Sequence, residues 1–63
     1  MNGDIVIHVE LPVNQAWALA EFLKRAGYSD YRVLAASEQE AYDMRDAGEK
    51  VRTALAEQGY APR

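Results

Sequence analysis

The stretch from Ser37 to Tyr60 constrains this chain most. It opens Ser37-Glu38-Gln39-Glu40 and closes on Gly59-Tyr60. Ser and Glu three residues apart form a capping box, in which the hydroxyl takes one unpaired amide of the first turn and the carboxylate reaches back to another. Gly59 can enter the left-handed conformation that ends a helix, with Tyr60 as the apolar residue just beyond it. Between them Ala41, Met44, Ala47, Gly48, Val51, Ala54 and Leu55 fall on one face at three-and-four spacing. The pattern predicts one long helix with its core face written along it.

Sixty-three residues make a single small domain, 1–63, and a chain of that length buries only about 60% of its unfolded surface. Such domains are usually stapled by disulfides, a metal or a partner subunit. There is no cysteine and only one histidine, His8, which removes disulfides, thiol chemistry and a transition-metal site. Oligomerisation is the staple left. The net charge of −3 is mild and argues against nucleic acid as partner. No apolar run approaches the roughly 20 residues of a membrane span. Nor is there a basic start followed by an apolar stretch, so the expected compartment is the cytoplasm.

In chain order, Met1 to Asp4 should fray. Ile5, Ile7, Val9 and Leu11 then alternate with Val6, His8 and Glu10, the period of a half-buried strand, and Pro12 ends it. A first helix is expected over Val13 to Ala26, capped by Asn14. Its core stripe is Ala16, Leu19, Ala20, Leu23 and Ala26, with Phe22 on the flank. Glu21 precedes Lys24 and Arg25 at ion-pair spacing. Gly27-Tyr28 should close it as Gly59-Tyr60 closes the long helix. Ser29-Asp30 can cap a short second helix over Tyr31 to Ala36, though Tyr31-Arg32-Val33-Leu34 would also serve as a strand. Ala61-Pro62-Arg63 is a stop. The expected architecture is therefore an α-rich α+β protomer of order β-α-α-α. A lone strand leaves both edges unpaired, so we expect a homodimer joined through residues 5 to 11, with Ile5, Ile7 and Val9 on its buried side.

A strand ending in Leu11-Pro12, a helix, then Gly27-Tyr28-Ser29 opening another helix resembles the ribbon-helix-helix regulators. That resemblance implies an antiparallel ribbon in the DNA major groove, with Val6, His8 and Glu10 as its base readers. None of the three is lysine or arginine, and Glu10 has the wrong sign for phosphate. From Ala16 onward the chain also resembles an uncharacterised group of short bacterial proteins. The residues that carry this are Ala16-Trp17-Ala18-Leu19-Ala20, Phe22-Leu23-Lys24-Arg25, Ser29-Asp30-Tyr31-Arg32, Glu40-Ala41-Tyr42, Met44-Arg45-Asp46-Ala47 and Gly59-Tyr60-Ala61-Pro62-Arg63. This resemblance implies a setting near mobile elements and no established activity. By class analogy it implies an inhibitor of host defence of the anti-CRISPR kind.

Catalysis finds no footing in the residue pattern. His8 has no Ser or Cys near it in sequence, and no Gly-rich phosphate loop or calcium loop is present. General acid/base work needs a sheltered pocket to shift a pKa, whereas Glu38, Glu40, Asp43, Asp46 and Glu49 fall on an exposed helix face. No enzyme activity, cofactor or metal is expected. Residues 38 to 49 hold those five carboxylates and one cation, Arg45. Acids early in a helix complement its dipole, and Asp46 with Lys50 and Glu49 with Arg52 are local pairs. The same run would also make a negative surface for docking a basic protein groove. Tyr42 points into the sector of Glu38, Arg45, Asp46 and Glu49, and Trp17 falls between Glu21 and Lys24, off its core stripe. Aromatics ringed by charge are the composition of a binding hot spot. The candidate partner surface is therefore Tyr42, Glu38, Asp46, Glu49 and Trp17. The expected protein is a small acidic binder of another protein, with a dimeric DNA regulator as the alternative.

Overall fold

The computed structural model describes residues 3–63, and the expected fraying of Met1 and Asn2 lies outside them. Three helices follow in order: α1 (Val13–Arg25), α2 (Tyr28–Leu34) and α3 (Glu38–Glu57). There is no strand among the described residues, so the β-α-α-α expectation is corrected to an all-helical fold.

The alternation that suggested a strand is present, but its partner is different. Residues 3–11 carry no regular structure. The side chains of Ile7, Val9 and Leu11 border a groove whose other wall is Leu19 of α1 with Val51 and Leu55 of α3. A period of two puts every second side chain on one side of an extended chain, and either a neighbouring strand or a helical groove can receive them. The groove receives them only in part. Ile7 is 70% exposed and Val9 65%, against 37% for Leu11 next to Pro12. With the strand goes the ribbon that the regulator resemblance implies.

α1 starts at Val13 because Pro12 cannot continue a helix backwards, and its carbonyl accepts the Gln15 and Ala16 amides at 3.0 and 2.9 Å. Pro12, not Asn14, is the N-cap residue. Glu21 and Arg25 pair at 3.1 Å on the open face as their spacing requires. The helix ends at Arg25, and Gly27 is extended at φ −109° and ψ 178°. That corrects the expected left-handed closure. The reason lies just downstream: Asp30 Oδ2 accepts the Gly27 amide at 2.8 Å, and the Gly27 carbonyl accepts the Asp30 amide at 3.0 Å. Gly27 is thus the N-cap of a new helix rather than the closing residue of an old one, and α2 begins at Tyr28, three residues earlier than Tyr31.

α3 is capped at both ends as its sequence predicts, with one change of register. The Ser37 hydroxyl accepts the Glu40 amide at 3.1 Å. The Glu40 carboxylate accepts from Ala36 at 2.8 Å, one residue further back than a capping box requires, and so fastens the α2–α3 turn to α3. At the other end Gly59 has φ 98°. The Tyr60 amide donates to the Leu55 carbonyl and the Gly59 amide to Ala56, both at 2.9 Å, which is a Schellman closure.

α1 and α2 both pack on α3 and not on each other. Leu19 lies near Leu55, and Leu23 near Gly48, so α1 runs antiparallel to α3. The buried residues are Ala16, Ala20 and Leu23 of α1 and Ala41 and Gly48 of α3. All but Leu23 are small, which lets the helices approach closely but removes little apolar area from water. The molecule is flat, 33 × 29 × 16 Å, with a radius of gyration of 12.7 Å. A compact chain of this length would have about 10.6 Å. Flatness explains why Ala47, Val51 and Ala54, all on the expected core face, are exposed: no second layer covers them.

Candidate protein-binding surface

Tyr42 stands on α3 one turn beyond its acidic N-terminus, and Tyr28 is the first residue of α2. The fold brings their rings together at 4.8 Å between centroids, tilted by 38°. The Arg45 guanidinium lies over the same Tyr42 ring, 5.3 Å from its centroid, a cation–π contact. Arg45 also reaches Asp46 at 3.2 Å. Asp46 therefore pairs with its neighbour rather than with Lys50, while Glu49 pairs with Arg52 at 3.7 Å as expected. These ion pairs are solvated and add little to stability.

Four of the five acids in the run have local partners, Asp46 and Glu49 in the ion pairs above. Glu40 holds the Ala36 amide and Asp43 accepts the Gln39 side-chain amide at 3.1 Å. Glu38, Asp46 and Glu49 share by helical period the sector of α3 that carries Tyr42. Tyr42 is 39% exposed, so one side of its ring rests on Tyr28 and another meets water. Tyr28 itself is half-buried. Partial loss of solvent, then the Glu38 carboxylate and the Tyr42 phenol, raise its pKa above the ordinary tyrosine value, against the opposing charges of Arg32 and Arg45.

Trp17 is elsewhere. Its indole meets Tyr60 edge to face at 5.1 Å, so the turn after Gly59 brings the C-terminal tail back onto α1. Of the expected dimer-strand residues, Ile7 and Val9 line the α1/α3 groove and Ile5 is 85% exposed. Tyr28 is not among the residues of the expected partner surface; the pattern places it only at the end of α1. It lies fourteen positions from Tyr42, and no local period links residues on separate helices. No helix among the described residues is long and apolar enough to cross a membrane. No cluster of three or more His, Cys, Asp or Glu side chains able to hold a metal occurs among them.

A family model, described as a family of unknown function (DUF7706), matches residues 1–63. The chain belongs to that family. Comparison of this DUF7706 member with curated proteins gave no match, and comparison with solved structures gave none.

Proposed function

We propose that this DUF7706 protein works by binding another protein and performs no chemistry of its own. The observation that carries the reading is the Tyr28–Tyr42 pair with Arg45 over its Tyr42 ring, on the sector of α3 where the helical period also puts Glu38, Asp46 and Glu49. Stacked aromatics lose little conformational freedom when a partner covers them, and a ring of charge around them steers encounter and sets register. With five carboxylates against one cation over residues 38 to 49, the fitting partner is a basic groove of the kind that ordinarily holds nucleic acid. An inhibitor of host defence, carried by a mobile element and acting as an anti-CRISPR protein does, is the concrete form of that idea.

The test is capture of partners from the native host by the intact protein and by two variants. Tyr42→Ala should abolish capture while costing the fold only the Tyr28 ring contact and the Arg45 cation–π contact, about 2 kcal/mol together. Glu49→Lys should slow association and alter its salt dependence with the fold unchanged. Capture that survives both variants would reject this surface. A gel shift showing tight, sequence-selective DNA binding at physiological salt would reject the protein-binding reading in favour of a regulator.

A further inference from the structure

The chain exposes 5070 Å² of solvent-accessible surface. A monomeric protein of its 7.1 kDa mass exposes about 4,100 Å². The excess, about 1,000 Å² by that scaling, is close to the roughly 800 Å² that each partner buries in a stable dimer. Large apolar side chains contribute to that exposed surface, Ile7, Val9 and Val51 among them, and among the described residues none of the large side chains is fully buried.

Three depressions among the described residues differ in charge. One is bordered by Asp46, Glu49 and Lys50, another by Arg25 and Asp30. The third, about 440 Å³ in volume, has no charged residue on its walls; Gln58 is its one polar side chain. This matters because a two-fold contact sets a patch against its own copy. In a chain of net charge −3, a patch with carboxylates near the axis would meet itself at a cost, and the uncharged groove would not. The broad face measures 33 by 29 Å, an outline sufficient for such a contact.

We propose that two copies of this chain pack face to face through the α1/α3 groove, with Ile7, Val9 and Leu11 of each copy sandwiched between Leu19, Val51 and Leu55 of both. The contact is between side chains and supplies the second layer that the flat protomer lacks. It leaves the tyrosine pair outside, because Val51 stands nine residues after Tyr42 and so half a turn away around α3. A dimer of this kind presents two copies of that surface.

Light scattering and sedimentation equilibrium on the full chain, over a wide dilution series, test this directly. The native protein should have the mass of two chains and dissociate on dilution. Val51→Glu and Ala54→Glu should each weaken the dimer about a hundredfold or more, as like charges in a desolvated contact do, with helicity retained. Ala54 is already exposed, so its variant serves even where Val51→Glu disturbs the fold. Phe22→Glu, on the Arg25 and Asp30 side, should leave the dimer intact. A native mass of one chain at every concentration overturns the proposal. So does a dimer that both groove variants leave unchanged, or one that Phe22→Glu dissociates. Neither result bears on the Tyr28–Tyr42 surface, whose capture assay a monomer can pass.

Discussion

The Tyr31 hydroxyl lies against the backbone of Gly48. A Cβ placed on Gly48 would stand 2.6 Å from Tyr31 Oη and 3.4 Å from Leu23 Cδ2, so the absence of a side chain is what lets Tyr31 of α2 close on this turn of α3, where Leu23 of α1 also packs. Alanine in place of a helical glycine ordinarily gains about 1 kcal/mol. Here it would overpack a contact between stiff groups, which costs about 1–3 kcal/mol.

Gly48→Ala is therefore expected to lower stability by about 1 kcal/mol net, a fall in melting temperature of about 4–8 °C for a domain this small. The control is the same change in a Tyr31→Phe background, where the nearest atom is gone. There Gly48→Ala should be neutral or stabilising. Thermal melts of the four proteins in the cycle decide it, and equal destabilisation in both backgrounds would show that the hydroxyl is not the obstacle.

The displaced capping carboxylate makes a second forecast. Ser37→Ala removes the acceptor for the Glu40 amide and should cost about 1 kcal/mol. Glu40→Ala releases the Ala36 amide instead, so its effect should appear in the turn between α2 and α3 rather than in α3 itself. Amide hydrogen exchange separates the two. Ala36 should lose protection in Glu40→Ala and the first turn of α3 in Ser37→Ala. Loss confined to α3 in both would mean that the Ala36 hydrogen bond does not hold in solution.

Alkaline pH gives a third. Because the folded Tyr28 phenol has a pKa above its ordinary value, the folded state holds its proton more tightly than the unfolded chain does. That contribution is whole below the unfolded value of about 10 and is lost as pH rises through the higher folded value. Melting temperature should fall over that window in the native protein and fall less in Tyr28→Phe. Tyrosinate absorbance, taken as the difference between the two proteins, should place the missing ionisation above the ordinary range. A difference centred at or below it would remove the desolvated Tyr28–Tyr42 contact.

The ends of α3 were legible because capping is decided by a few neighbouring atoms: Ser37 offers the oxygen and Gly59 tolerates the positive φ. Gly27-Tyr28 repeats the letters of Gly59-Tyr60 without repeating the backbone, because Asp30 competes for the Gly27 amide and starts a helix there. Alternation in residues 5 to 11 fixed which side chains share a side but not what lies opposite them. The choice between a strand and a groove is made by α1 and α3, which local sequence does not contain. The same limit hid Tyr28. Tyr42 was legible as an aromatic among charges, while its contact depends on where the α2–α3 turn points. Core depth failed for a related reason, since the face of α3 is wider in sequence than the area that α1 and α2 cover.

The contact between Trp17 and Tyr60 has an optical consequence. Trp17 is the chain's one tryptophan, and its partner ring stands just beyond the Gly59 turn. Its fluorescence therefore reports on whether the last residues are docked, with no label attached. Any event that frees the tail, from a cut after Gly59 to a truncation at Tyr60, would be read as a change in emission from α1.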